Sequence, residues 1–219
     1  MENVNWFGHA SFYFTDINGN NIYFVDPFQL NNRAKEKADI IFITHAHPDH
    51  FSQKDIDQII KSDSIIVAPP DILDKINIEE ERKISVKPNK TYEVKGFKFQ
   101  TIPAYNTHPD KLNFHPKSNN WVGFIFELNG QKVYHAGDTD FTAEMKKLIN
   151  LNLYIALLPM DGIYCMDPNE AADAANAIAA QITIPMHYKN QNPGIYQELE
   201  KKFKSLVKNS KVVILEELK

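Results

Sequence analysis

The chain has 219 residues, of which 43% are hydrophobic and 24% charged, proportions that suit a globular protein with a sizeable core. Its formal net charge of −4, with acidic and basic residues interspersed, gives no general electrostatic drive toward nucleic acid or an anionic membrane. The single cysteine, Cys165, excludes an intramolecular disulfide and fits a reducing compartment. With no signal-peptide pattern at the start and no apolar run long enough to span a bilayer, a cytoplasmic location is expected.

In chain order, the first half is predicted to be rich in strands. Residues 4–7, 11–15 and 22–25 are short apolar or aromatic runs, and Asn18-Gly19 between the last two is a hairpin signal. Residues 40–43 form a fully apolar, largely β-branched run that predicts a buried strand. It leads directly into Thr44-His45-Ala46-His47-Pro48-Asp49-His50. Four metal-ligating side chains in six positions are costly to bury unless something pairs with them, and two closely spaced transition-metal ions would pair with all of them. The competing reading, a solvated His-rich loop, leaves that density to coincidence.

Ser52 is placed to cap a helix over 55–61, with Asp55 at its third position. A strand at 65–68, a short helix opened by Pro69-Pro70 and running to 76, and strands at 84–86, 91–94 and 97–102 follow. Residues 104–120 are polar and irregular, and loops of that length inside compact domains are usually functional. A second hairpin is expected from 121–128, Asn129-Gly130 and 131–135. Thereafter helices and strands alternate: helix 142–149, strand 153–158, a helix opened by a capping box of Asp167, Pro168 and Glu170, strand 182–185, helix 195–207 and strand 212–215. Ile195, Leu199, Phe203 and Leu206 would face the core from the last helix. Two strand-rich halves flanked by helices suggest an α/β fold, a four-layered αββα sandwich in one domain over 1–219.

In an extended segment His45 and His47 point the same way and can hold one ion together, while Asp49 and His50 are placed for a second. Asp138, in Gly137-Asp138-Thr139 after a strand, could bridge two ions, and His187, in Pro185-Met186-His187-Tyr188 after another, is a further candidate.

These segments together resemble the metallo-β-lactamase superfamily, and within it the small cytosolic metal-dependent hydrolases related to the ascorbate-6-phosphate lactonase group. The resemblance runs through Trp6-Phe7-Gly8-His9-Ala10-Ser11, Val25-Asp26-Pro27, the His cluster, Phe114-His115-Pro116-Lys117, Tyr134-His135-Ala136-Gly137-Asp138-Thr139 and Pro185-Met186-His187-Tyr188. It implies that His45 and His47 bind a first ion with a third histidine, that Asp49, His50 and His187 bind a second, and that Asp138 bridges. His115 is preferred as the third histidine because of its motif; His108 is the rival, and Asn106 stands where some relatives carry the histidine. His9 and Asp26 are expected to support ligands from behind, His135 to be packed, and Cys165 to be inert.

Two divalent ions, zinc foremost with manganese or iron also suited to the His/Asp set, are therefore the expected cofactors. Ions about 3.5–4 Å apart can share a hydroxide formed from water whose pKa falls from near 16 to about 7. Asp49 and Asp138 would orient that nucleophile. The expected reaction is hydrolysis of an ester, lactone or phosphodiester in a small anionic substrate, with Lys117, Tyr188 and Tyr105 as substrate contacts. An RNA or DNA phosphodiesterase is the alternative within enzymes, weakened by the charge balance and by the lack of room for an additional domain. A metal-binding scaffold without turnover is the alternative of another class, against which the complete ligand set argues. No membrane partner is expected, and the sequence is compatible with a homo-oligomer.

Overall fold

The apolar runs sort into two sheets in the computed structural model, which describes residues 4–16, 21–189 and 193–219. The chain divides into two compact units, residues 1–86 with 216–219, and residues 87–215. The predicted Asn18-Gly19 turn lies outside the described residues.

In the first unit the sheet order follows the chain: β1 (Val4–Gly8), β2 (Ser11–Thr15), β3 (Ile22–Val25), β4 (Ile40–Phe42), β5 (Ile65–Ala68) and β6 (Lys83–Ser85). The first three strands are antiparallel and β3 to β6 run parallel, so β3 and β4 end at one edge, with Val25 beside Phe42. Asp26 and Thr44 therefore leave the sheet close together, and the Asp26 N–H still donates to the Phe42 carbonyl at 2.9 Å. Helix α1 (Gln53–Ile59) packs Ile56 and Ile59 into a core with Phe7, Phe24, Ile41, Ile43 and Ile66. Each such side chain contributes about 1.5–3 kcal/mol by leaving water. The Ser52 hydroxyl accepts from the Asp55 N–H, as the cap predicts, and the Asp55 carboxylate accepts the Gln29 and Leu30 N–H groups, tying the helix start to the stretch after β3. A single-turn helix, α2 (Pro70–Leu73), follows β5.

The second unit holds β7 (Thr91–Val94), β8 (Phe97–Pro103), β9 (Val122–Leu128) and β10 (Gln131–His135) as an antiparallel meander, extended by β11 (Ile155–Pro159), β12 (Ile182–Met186) and β13 (Lys211–Val212) parallel to β10. Asn129-Gly130 and Lys95-Gly96 turn the two hairpins, and both residues of each pair have positive φ, as tight turns matching strand twist require. Because β8 and β10 to β12 run the same way, the chain leaves all four at one edge. The segments after Pro103, His135, Pro159 and Met186 all start there. Helices α3 (Pro168–Ile178) and α4 (Pro193–Leu206) connect the parallel strands.

Three expectations change. The segment expected as a helix over 142–149 is a 3-10 helix, Met145–Leu151, whose two buried side chains, Met145 and Leu148, are three apart and so fall on one line of a three-residue turn. In α4, Phe203 is fully buried but Ile195 and Leu206 are exposed. The inward stripe runs instead through the half-buried Tyr196 and Leu199 to Phe203 and Val207, because Glu200 turns in to accept the Tyr188 hydroxyl. The last strand is only Lys211–Val212. Among the described residues no helix is long and apolar enough to cross a membrane.

Candidate metal centre

In the first unit the His cluster hangs on one buried carboxylate. Asp26 Oδ1 accepts the Thr44 N–H at 2.8 Å, while Oδ2 accepts the Thr44 hydroxyl at 2.7 Å and lies 2.8 Å from His50 Nδ1. Since the Thr44 proton goes to Asp26, the contact of Thr44 Oγ1 with His45 Nδ1 at 2.9 Å makes that nitrogen the donor. Both imidazoles are thus fixed with Nδ1 protonated, and any ion they bind is held through Nε2. Thr44, on which the sequence reading placed no role, links the two.

His45 Nε2 and His47 Nδ1 face each other 3.1 Å apart. Nitrogens on one tetrahedral ion with bonds of 2.0–2.1 Å stand about 3.3 Å apart. This pair fits a shared ion, as the alternation of side chains along an extended segment predicts. His45 and His50 are buried, whereas Asp49 is more than a third exposed and its Oδ2 is 3.4 Å from His9 Nε2. His9 and Asp26 both hold left-handed backbone, with φ of 52° and 46°. Such conformations cost energy in non-glycine residues and gather at functional sites.

In the second unit Asp138 is the hub. Its Oδ2 is 3.0 Å from His187 Nε2 and 3.3 Å from His115 Nε2, and all three side chains are buried. Behind His187, Asp161 Oδ2 is 3.4 Å from Nδ1. Asp161 Oδ1 in turn accepts N–H groups from Ile163, Tyr164 and Cys165. Burial alone would lower the His187 pKa, but the Asp138 and Asp161 charges outweigh it and hold it well above the usual histidine value. Two buried carboxylates around one imidazole call for positive charge, which a metal ion supplies in place of the proton. His187 also has left-handed backbone, φ 59°.

Asp161 escaped the sequence reading although it follows a strand as Asp138 does. Cys165, read as inert, has its sulfur within 4.8 Å of ligand atoms of Asp138 and His187. Burial first, then the Asp138 and Asp161 charges, push its thiol well above its usual pKa.

The loop after β8 separates the two candidate third histidines. The Asn106 N–H donates to the His115 carbonyl at 2.8 Å, so the loop closes on itself and carries His115 back toward the strand edge. His108 instead lies 3.2 Å from Glu170. Of the expected substrate contacts, Tyr105 donates its hydroxyl to Glu144, and Lys117 lies 3.1 Å from the Tyr105 oxygen and 3.4 Å from Glu144. Tyr188 is fully buried and donates to Glu200. His135 is buried and accepts the Gly137 N–H at 3.2 Å.

The sequence profile of the beta-lactamase superfamily domain matches residues 3–187, which include every residue of both His/Asp clusters. A UPF0173 metal-dependent hydrolase from Thermococcus onnurineus is 36% identical over 226 residues, covering 98% of this chain and 96% of its own. A crystal structure of a Parabacteroides distasonis protein superposes with a TM-score of 0.82 at 33% identity, over 98% of this chain and 92% of that one. Igni18, a metallo hydrolase from Ignicoccus hospitalis, superposes with a TM-score of 0.75 at 25% identity, over 99% and 95% of the two chains. The α/β class, the fold type and the metal dependence expected from the sequence are borne out. With the family profile spanning most of the chain and a relative matching nearly end to end, this protein belongs to the UPF0173 metal-dependent hydrolases of the metallo-β-lactamase superfamily.

Proposed function

We propose that this chain is a binuclear hydrolase that cleaves an ester, lactone or phosphodiester bond in a small anionic substrate. The proposed ligands are His45, His47 and His115 for one ion, Asp49, His50 and His187 for the other, and Asp138 as the bridge. The observation that carries the reading is the fixing of ring orientation from behind: Asp26 holds His50 directly and His45 through Thr44, and Asp161 backs His187. Metal-ligating histidines are oriented in this way, by a carboxylate or a hydrogen-bonded relay behind the ring. When bound, the ions, zinc foremost, supply a water-derived nucleophile at neutral pH and positive charge for the leaving group.

The chain's own residues do the rest. Asp138 holds its carboxylate against two imidazoles, where it would position the nucleophile. Asp49, the more exposed of the two acids and next to His9, would pass a proton to the leaving group. Lys117, which keeps most of its side chain in solvent beside Tyr105, would hold substrate negative charge. A small soluble metabolite in the cytoplasm, not a membrane or a nucleic acid, is the proposed partner, and a homo-oligomer is compatible with the reading.

The test is elemental analysis of native protein, followed by a screen of chromogenic esters, lactones and phosphodiesters with and without chelator. Two ions per chain and chelator-sensitive turnover of one substrate class are expected. Saturation at one ion per chain overturns the binuclear reading. Turnover of RNA or DNA alone replaces the small-substrate reading.

A further inference from the structure

Away from Asp138, the second unit gathers another set of metal-ligating groups. Asp167 caps α3, accepting the Asn169 and Glu170 N–H groups at 2.8 and 2.9 Å. The other half of the predicted capping box is turned to a different use. Glu170 Oε1 accepts the Phe141 N–H at 2.9 Å, and its Oε2 lies 3.2 Å from His108 Nε2. Asp140, fully buried, is arranged in the same manner: Oδ2 accepts the Thr107 and His108 N–H groups at 2.7 and 3.0 Å, whereas Oδ1 is buried with no hydrogen-bond partner. Each carboxylate thus has one oxygen anchored on backbone and a second oxygen left over. One ligand atom each from His108, Asp140 and Glu170 lies within 4.8 Å of the other two.

We propose that His108, Asp140 and Glu170 form a separate divalent-cation site that pins the loop after β8 to the first turn of α3. A His108–Glu170 ion pair alone does not account for the arrangement, because it leaves Asp140 Oδ1 desolvated and unsatisfied. A divalent ion held by one ligand atom of each residue would meet both carboxylates and the imidazole at once. His108 has a half-exposed side chain, which gives an ion access from solvent. It lines a cleft of about 450 Å³ together with the carboxylates of Asp110, Asp167, Glu170 and Asp173 and with Lys111. That charge draws cations in. One imidazole and two carboxylates suit zinc or manganese better than magnesium or calcium, which take oxygen ligands. Water would complete the coordination.

The test titrates zinc-loaded, dialysed protein with further Zn²⁺ by calorimetry, comparing wild type with His108→Ala and Glu170→Gln. Glutamine keeps an acceptor for the Phe141 N–H, and residue 108 is exposed enough for alanine to be harmless to the fold. Wild type is expected to take up one ion per chain more than either variant, or to bind it at least about tenfold more tightly, and to gain thermal stability from it that the variants do not. Hydrolysis by the dialysed His108→Ala protein stays at the wild-type level. Because the readout is the difference between wild type and variants, it stands whether the dialysed protein holds one ion or two. Equal uptake by all three proteins overturns the proposal. Loss in His108→Ala with full retention in Glu170→Gln also overturns it, leaving a surface histidine that binds zinc by itself.

Discussion

His50 Nδ1 lies 2.8 Å from Asp26 Oδ2 with both side chains fully buried, and Asp26 holds that position from left-handed backbone. The same carboxylate takes both the N–H and the hydroxyl of Thr44. Asp26→Asn is therefore an informative change: asparagine tolerates the left-handed conformation, so the backbone stays, but its amide NH₂ must confront the Thr44 N–H or a protonated His50 Nδ1. The variant is expected to fold, to melt several degrees lower through loss of charge-assisted hydrogen bonds of about 1.5–3 kcal/mol each, and to bind metal about 10–100-fold more weakly. Competition titration against a chromophoric chelator measures the affinity. Wild-type affinity in Asp26→Asn would show that this carboxylate does not orient the ligands.

Asp138→Asn should leave a folded protein with turnover reduced far more than metal content. Its Oδ2 is shared between His115 and His187, so the amide both removes a charge the ions need and places a donor where only an acceptor fits. Rates measured at matched metal occupancy decide the point. An Asp138→Asn protein that hydrolyses the best substrate at the wild-type rate with its sites filled removes Asp138 from the chemistry. Stripping the metal from wild type should lower its melting temperature, since an ion at 100 times its dissociation constant adds about 2.7 kcal/mol to the native state.

How much of this was legible in the sequence depended on whether the signal was local. The strand leading into the His cluster, the Asn129-Gly130 turn and the Asp167 cap are each specified by a few adjacent residues, and each is where the sequence puts it. That His45 and His47 face each other is what side-chain alternation in an extended segment predicts. What a local pattern does not carry is the partner across space. Thr44 gains its role from Asp26, 18 positions earlier. Asp161 gains its role from His187, and Glu170 leaves its capping box for Phe141 and His108 because the loop after β8 folds back against the start of α3. The inward stripe of α4 was misplaced for the same reason, since Glu200 turns in to meet the hydroxyl of Tyr188.

Cys165 gives a prediction that a purely packed cysteine would not. Its buried thiol lies within 4.8 Å of a ligand atom of Asp138 and one of His187, close enough for a donor at this position to serve the Asp138 carboxylate. Serine keeps a donor there and valine fills similar volume without one. Cys165→Ser is expected to hydrolyse within a few-fold of wild type, and Cys165→Val about tenfold or more slowly at equal metal content, the size of a lost hydrogen bond to a charged group. Equal rates for the two variants would mean that the thiol only fills space.

The last prediction separates His115 from His108. His115 Nε2 is 3.3 Å from Asp138 in a buried setting, and the Asn106–His115 backbone bond and the extended conformation imposed by Pro116 fix where its ring goes. His108 is half-exposed and lies against Glu170. His115→Ala should therefore cut hydrolysis and tight-metal affinity at least as severely as His47→Ala, while His108→Ala leaves both near wild type. Dialysis to remove weakly held ions, followed by metal counting and rate measurement on the three variants, tests it. Loss of the tightly bound ion and of turnover in His108→Ala, with both retained in His115→Ala, would assign the third ligand to the earlier histidine.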